Sequence, residues 1–480
     1  MFFNSYEFIF AFLPITFLLY FLLNQKDYNR LAKVVLISSS LFFYSWQTLI
    51  YLPLILSSMI FNYTIGTALS RRANRVLLTF GIASNLSLLG YFKYRDFFIE
   101  NVNLLFHTNG ELLHLALPLA ISFFTFQQIS YLIDSYRGET KEYDFLNYAL
   151  FVTFFPQLIA GPIVHHKEMM PQFADTKNRY INYQNIVMGI FIFSIGLFKK
   201  VVIADKFALW ANTGFDTATT LNLLEAWATS LSYTFELYFD FSGYTDMAIG
   251  LALLFNIKLP VNFNSPYKAV NIQDFWRRWH ITLSRFLRDY IYIPLGGNRK
   301  GELRTYSNLI ITFLLGGLWH GAGWTFVFWG FLHGMALVIH KVWSRYGVKL
   351  YGWIGWFITF NFINIAWIFF RAKEWEDAIK VLKGMFSINH IVLPTFLESK
   401  LTFLHQYHIG FGNYLVNIQG KTETYLWIII TLIVLLYFKN SIERVERLQL
   451  NYRTALFASG AFILSIIYLN RASEFLYFNF

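Results

Sequence analysis

Long uninterrupted apolar runs constrain this chain more than any other feature. A helix needs about 20 mostly apolar residues to cross the ~30 Å hydrocarbon core of a bilayer, and the 480-residue chain offers many such runs. They do not alternate in polarity, as the strands of an outer-membrane barrel would. We therefore predict an all-α polytopic membrane protein, built as a single integral-membrane domain over residues 1–480. The clearest apolar cores are 8–23, 31–51, 76–92, 186–197, 326–339, 353–370, 425–438 and 456–469.

The composition supports a membrane protein and narrows its chemistry. Hydrophobic residues make up 56% of the chain and charged residues only 14%, whereas a soluble domain is nearer half apolar and a quarter charged. The absence of cysteine excludes thiol nucleophiles and disulfides. We interpret the net charge of +11 as basic residues retained in cytoplasmic loops, not as a nucleic-acid site.

The distribution of Lys and Arg predicts the orientation. The basic segments "NQKDYNRLAK" and "SRRANR" both belong in the cytoplasm, which places the N-terminus outside and three crossings before Ser70. The first apolar block lacks a preceding basic residue and a cleavage site, so we expect a retained helix. Residues 258–304 hold nine Lys and Arg against three acids and are predicted to be cytoplasmic. Residues 387–424 are predicted to form an ordered external loop.

Two central stretches, "TFFPQLIAGPIVHH" and "SYTFELYFDFSGYTDMAIG", mix apolar residues with prolines, glycines and the acids Glu236, Asp240 and Asp246. Irregular backbone and acids are tolerated at membrane depth only where they face protein or a water-filled cavity. We therefore predict a cavity within the helix bundle.

The stretch "DFWRRWHITLSRFLRDYIYIP" predicts one amphipathic helix of roughly 18 residues between Asp274 and Pro294. Its cationic arc either anchors the chain at lipid phosphates or binds the phosphates of a cytoplasmic substrate. His280 lies at the edge of the apolar arc and should point inward. The apolar arc is predicted to contain Trp276, Trp279, Leu283, Phe286, Leu287 and Tyr290, and the opposite arc Arg277, Arg278, Arg285, Arg288 and Asp289.

A second histidine, His320, stands inside the apolar run "GLWHGAGWTFVFWGFLHG". The small residues around it predict close helix packing. Ionisable residues at membrane depth mark a functional site by default, although a neutral histidine could equally be a hydrogen-bond link between helices. As a site, one neutral histidine would act as general base on an acceptor hydroxyl, and the other would orient the donor or stabilise the oxyanion. His333, turned to about the opposite helix face, is assigned a packing role.

No metal site or dinucleotide fingerprint is predicted. "HQYH" (His405 and His408) and the adjacent His165–His166 lack the carboxylates or cysteines that usually complete a zinc site. We interpret them as loop histidines.

The ordered motifs "FWRRWHITLSRFLRDYIYIPLGG" and "LWHGAGWTFVFWG" resemble the membrane-bound O-acyltransferase family. The resemblance is strongest to its bacterial branch of alginate O-acetylation, teichoic-acid D-alanylation and peptidoglycan O-acetylation proteins. Supporting stretches are "FFPQLIAGPIV", "YFDFSGYTDMAIGLA", "LPVNFNSPY", "WIFFRA" and the terminal "EFLYFNF".

The resemblance implies a ring of about 11–13 transmembrane helices around a central funnel, with amphipathic interfacial helices, in a bacterial cytoplasmic membrane. The family's active-site histidine falls on His320, and its partner position, histidine here and often asparagine elsewhere, falls on His280. Acetyl-CoA is then the expected donor substrate, with no bound cofactor, and a hydroxyl on an extracytoplasmic partner protein or polysaccharide is the acceptor. Both direct transfer and a covalent acetyl-histidine intermediate are compatible with these residues. The candidate substrate-binding residues are Trp276, Arg277, Arg278, Trp279, Arg285 and Trp319.

Other functions remain open at this level. Peptidoglycan is favoured as the acceptor over alginate or another exopolysaccharide. A transporter or flippase of an acyl or glycan carrier would also need a cavity, buried acids and a basic entrance, but it would gain little from two paired histidines. A scaffold for an export complex would need neither histidine.

Overall fold

The computed structural model describes residues 1–140, 144–387, 391–407, 409–471 and 475–476. In these ranges one short parallel strand pair, β1 (Val392–Pro394) and β2 (Gly410–Gly412), lies within the predicted external loop, and helices account for the other regular structure. The first eleven α-helices are α1 (Leu13–Gln25), α2 (Asn29–Ser45), α3 (Leu52–Arg71), α4 (Arg75–Leu89), α5 (Arg95–Phe106), α6 (Ile121–Tyr136), α7 (Phe145–Thr153), α8 (Phe155–Leu158), α9 (His166–Ala174), α10 (Tyr183–Phe198) and α11 (Asp205–Asn212).

The remaining eleven α-helices of the described chain begin with α12, which has 32 residues. They are α12 (Leu223–Leu254), α13 (Ile272–Trp276), α14 (Ile281–Leu287), α15 (Glu302–His320), α16 (Trp324–Trp343), α17 (Gly352–Arg371), α18 (Trp375–Phe386), α19 (Glu398–Leu401), α20 (Thr422–Tyr437), α21 (Ser441–Glu446) and α22 (Tyr452–Tyr468).

Six helical segments of the described chain are long and apolar enough to cross a membrane, and α20 and α22 are shorter apolar helices. This confirms the predicted all-α polytopic membrane protein. The ring of 11–13 crossings around a funnel stays a prediction. The six segments are Phe8–Gln25, Leu49–Arg71, Arg75–Phe106, Tyr183–Thr217, Trp324–Trp343 and Gly352–Arg371.

The chain divides into two compact units that interleave along the sequence. The first contains Met1–Phe198, Ser242–Asn262 and Arg444–Phe480, and the second contains Lys199–Phe241 and Phe263–Glu443. The prediction of a single domain over residues 1–480 stays a prediction. Both candidate histidines belong to the second unit.

Buried amides link helices within the first unit. Asn62 of α3 and Asn85 of α4 exchange side-chain hydrogen bonds of 3.0 and 2.7 Å. Such polar contacts hold transmembrane helices together where the hydrophobic effect cannot.

A buried ion cluster serves the same purpose in the second unit. The Lys200 ammonium is 1% exposed and lies 2.8 Å from Asp205 and 2.7 Å from Asp240. The stretch "SYTFELYFDFSGYTDMAIG" is continuous helix within α12, without irregular backbone. Asp240 therefore faces a cation in the protein, as a buried acid is expected to.

Helices α15 and α16 pack with their backbones in close contact. A methyl group at Gly317 would lie 2.2 Å from the Phe326 carbonyl oxygen, and one at Gly330 would lie 2.2 Å from the Phe313 carbonyl oxygen. The close packing predicted from the small residues is confirmed. It fixes the C-terminal end of α15, where His320 stands.

We predict that Gly330→Ala destabilises the protein by about 2 kcal/mol, because a backbone carbonyl cannot move away from the added methyl group. Gly460→Ala is the matched control, since this helical glycine of α22 has nothing within 4 Å of the methyl position. Thermal unfolding in detergent measures both variants. Equal melting temperatures would contradict the contact.

Candidate active site

The predicted single helix between Asp274 and Pro294 is wrong. The chain forms α13, turns at Arg277–His280 and continues as α14, and Asn271, not Asp274, caps the first helix by accepting a hydrogen bond from the Asp274 amide. His280 has a left-handed backbone with φ of +41°. The Arg278 carbonyl accepts from the Asn264 amide at 2.9 Å, so it is diverted from a helical hydrogen bond.

Packing explains this break. A straight helix would separate the consecutive side chains of Trp279 and His280 by 100°, yet both are buried. The left-handed residue turns both inward. Trp279 stacks on Phe275 with a ring separation of 5.6 Å and packs 4.9 Å from Trp367.

His280 is fully buried, which confirms its predicted inward orientation. Its ring lies 4.7 Å from Phe241 of α12, edge to face. Burial lowers the pKa of His280 to about 3, so the imidazole is neutral at physiological pH. His280 lies outside the six candidate spans.

His320, the last residue of α15, stands in an aromatic cage. Its ring lies 4.8 Å from Trp319, 5.2 Å from Trp329 and 5.0 Å from Phe370, and the residue is 2% exposed. Helices α15, α16 and α17 each supply one of these rings. The cage excludes bulk water from the imidazole, and a site without water strengthens electrostatic interactions and limits side reactions.

Trp319 connects the two histidines. Its ring lies 6.3 Å from His280 and 4.8 Å from His320. Two histidines that are separated in the chain therefore flank one indole in the second unit, and their action as a pair stays a prediction.

A basic cavity of about 840 Å³ lies next to the aromatic cage. The two are neighbours because Trp276, which lines the cavity, packs 5.9 Å from Trp329 of the cage. Trp276, Arg277 and Arg285 line the cavity, as do Arg288 of the predicted cationic arc and two basic residues that sequence reasoning did not assign, His340 and Lys341. Its volume is in the range of small-molecule sites. The size and the cations together suit an anionic ligand with several phosphates.

The predicted substrate-binding residues separate into two groups. Trp276, Arg277 and Arg285 line the cavity, whereas Arg278, Trp279 and Trp319 do not. Arg278 instead pairs with Asp274 at 2.8 Å. Trp279 and Trp319 instead belong to the buried aromatic rings around His280 and His320, which we call the aromatic cluster.

Sequence reasoning also missed Trp329 and Phe370 of the cage, and the basic end of α16. The positive residues that end α16 were a usable signal for the cavity, because Lys and Arg concentrate at cytoplasmic helix ends. The side chains Trp329 and Phe370 offered no such signal, since aromatic residues are frequent throughout the chain.

No group of three possible metal-ligating side chains occurs in the described part of the chain. His405 lies 3.5 Å from Glu398, and His408 lies outside the described residues.

Comparison with known proteins identifies the class. Residues 133–373 match the membrane-bound O-acyltransferase family. The chain is 51% identical to the peptidoglycan O-acetyltransferase of Helicobacter pylori, with 100% of this chain and 97% of that protein covered. It is 40% identical to a probable alginate O-acetylase of Pseudomonas aeruginosa, covering 84% and 78%. It is 29% identical to a teichoic acid D-alanyltransferase of Streptococcus thermophilus, covering 53% and 68%.

The chain therefore belongs to the membrane-bound O-acyltransferase family. It is an acyltransferase and a multi-pass membrane enzyme. The transporter and scaffold functions are therefore not supported. The specific roles assigned to His320 and His280 stay predictions.

The left-handed backbone of His280 generates a stability prediction. We expect His280→Val to be less stable than His280→Asn by about 1–2 kcal/mol, because a β-branched residue is strained at positive φ and asparagine is not. The two side chains are similar in size, and burial alone would favour valine. Melting temperatures in detergent compare the stabilities of the two variants. A more stable valine variant would refute the explanation from the left-handed backbone.

Proposed function

We propose that this enzyme transfers an acetyl group from cytoplasmic acetyl-CoA, through the membrane, to a hydroxyl presented on the other side. The observation that carries this proposal is the basic cavity, which shares Trp276 and its helix with the aromatic cluster around His280 and His320. One region of the second unit thus offers a phosphate-binding surface and a water-excluded base.

The donor fits the cavity by charge and size. The phosphates of CoA would meet Arg277, Arg285 and Lys341, with guanidinium groups binding phosphate oxygens in bidentate fashion. The pantetheine arm would then extend past Trp276 toward His320. An Arg-rich cavity next to buried aromatic side chains suits a ligand that is anionic at one end and uncharged at the other.

The proposed reaction transfers the acetyl group from the thioester sulfur to the hydroxyl oxygen of the acceptor. Neutral His320 takes the proton from the acceptor hydroxyl as the oxygen attacks the thioester carbonyl carbon. The carbon–sulfur bond breaks, an ester forms, and the proton is passed to the CoA sulfur. His280, neutral and on the other side of Trp319, orients the donor or stabilises the oxyanion.

Peptidoglycan is the favoured final acceptor. The relative named as a peptidoglycan O-acetyltransferase is 51% identical over the full chain, against 40% for the alginate relative. The hydroxyl that first receives the acetyl group would belong to a periplasmic or extracellular partner protein, or to a carrier. We place the enzyme in the bacterial cytoplasmic membrane with its N-terminus outside, because the segments around Lys26 and Arg72 are basic.

Transfer across inverted membrane vesicles tests the proposal. Vesicles containing the enzyme and its acceptor partner receive acetyl-labelled CoA on the cytoplasmic face, and label in luminal hydroxyl esters is counted. We expect transfer in the wild type and a loss of at least about a hundredfold in His320→Ala, since a positioned general base contributes 10²–10⁴-fold. Undiminished transfer by His320→Ala at equal protein level would refute the mechanism.

The arginines of the cavity give a second prediction. Arg277→Gln should raise the KM for acetyl-CoA by about tenfold, because a charge-assisted hydrogen bond to phosphate is lost. Arg278→Gln is the matched control, since Arg278 is the adjacent arginine but pairs with Asp274 outside the cavity. Initial rates across a range of acetyl-CoA concentrations measure both. Equal KM values for the two variants would remove the cavity from the donor site.

A further inference from the structure

His333 of α16 has a defined tautomer, although it was assigned only a packing role. Its Nδ1 accepts a hydrogen bond of 3.1 Å from the Trp276 indole nitrogen. Indole nitrogen is a donor only. Nδ1 must therefore carry a lone pair, so the ring is neutral and its proton is on Nε2.

The Nε2–H group of His333 is a buried donor without a hydrogen-bond acceptor among the described residues. His333 itself is 0% exposed. The great majority of buried polar groups are paired, and an unpaired buried donor costs about 1–3 kcal/mol. A ligand atom that accepts a hydrogen bond would remove that cost.

The neighbours of His333 indicate which ligand would supply the acceptor atom. Its bonded partner Trp276 lines the basic cavity, and its ring lies 4.7 Å from Trp329, which in turn lies 5.2 Å from His320. His333 thus contacts both Trp276, which lines the cavity, and Trp329 of the aromatic cage. Trp329 packs against both histidine rings, so one indole separates His333 from His320.

We propose that His333 binds the pantetheine arm of the donor, its Nε2–H donating a hydrogen bond to an amide carbonyl oxygen of the arm. This inference rests on acetyl-CoA being the donor. Trp276 acts as the positioning residue, because its N–H fixes the tautomer that makes Nε2 a donor. The contact is made by bound donor before any bond changes, so it contributes to affinity and not to the chemical step.

Two substitutions separate this role from packing. In His333→Asn the amide oxygen replaces the Nδ1 acceptor, and no donor remains at the Nε2 position. In His333→Gln the amide nitrogen restores a donor near Nε2, and the acceptor for Trp276 is lost. If His333 served only to bond Trp276, asparagine would be the better replacement. If His333 binds the donor, glutamine would be the better replacement.

The measurement is equilibrium binding of radiolabelled CoA to the purified full-length protein in lipid nanodiscs. Adenosine 3′,5′-bisphosphate, which carries phosphates but no pantetheine arm, is the second probe. We expect His333→Asn to bind CoA about tenfold more weakly than the wild type while binding the bisphosphate equally. His333→Gln should stay within about threefold of the wild type for both probes. In the transfer assay His333→Asn should raise KM and leave kcat unchanged.

Each other outcome has a distinct meaning. Equal CoA binding by His333→Asn and the wild type would overturn this inference and leave the proposed function intact. Weaker binding of both probes by His333→Asn would also overturn it, since that pattern reports a collapsed cavity. A wild type that binds neither probe would overturn both the inference and the proposed donor.

Discussion

The close approach of α15 and α16 is the contact on which the candidate site depends. Gly317 and Gly330 bring each helix against backbone atoms of the other, so the end of α15 cannot shift without breaking that packing. His320 is the final residue of α15, and Trp329 lies beside Gly330 on α16. The glycines therefore set the distance between the imidazole and the indole that covers it.

The second constraint is the turn that ends at His280. Helix α13 presents Trp276 to the cavity, and the left-handed residue sends Trp279 and His280 into the aromatic cluster. A continuous helix would have placed His280 at the edge of its apolar arc and turned the side chains of Trp279 and His280 100° from each other. The break divides the segment into a cationic part at the cavity and a histidine in the interior. Arg277 before the break and Arg285 after it thus line the cavity, while His280 between them is buried.

Much of the architecture could be predicted from sequence, because a lipid environment allows few solutions. Apolar length predicts spans such as Phe8–Gln25 and Gly352–Arg371, and these are present. The burial of His280 and the glycine contacts around His320 follow from residue type. The break at His280 does not follow, because the Trp279 ring packs against Trp367, a residue far along the chain that local periodicity does not include. Likewise His340 and Lys341 join Arg277 only through the packing of α16, which local periodicity does not encode.

The account makes one central claim: a donor held by the basic cavity reaches His320. The most direct test is a cryo-EM structure of the full-length protein with a non-reactive thioether analogue of acetyl-CoA. We predict the phosphates at Arg277 and Arg285, and the carbon that replaces the acetyl carbonyl within about 4 Å of the His320 imidazole, close to the separation of reacting groups in a productive complex. An analogue bound with its acyl end away from His320, or outside this cavity, would contradict the account.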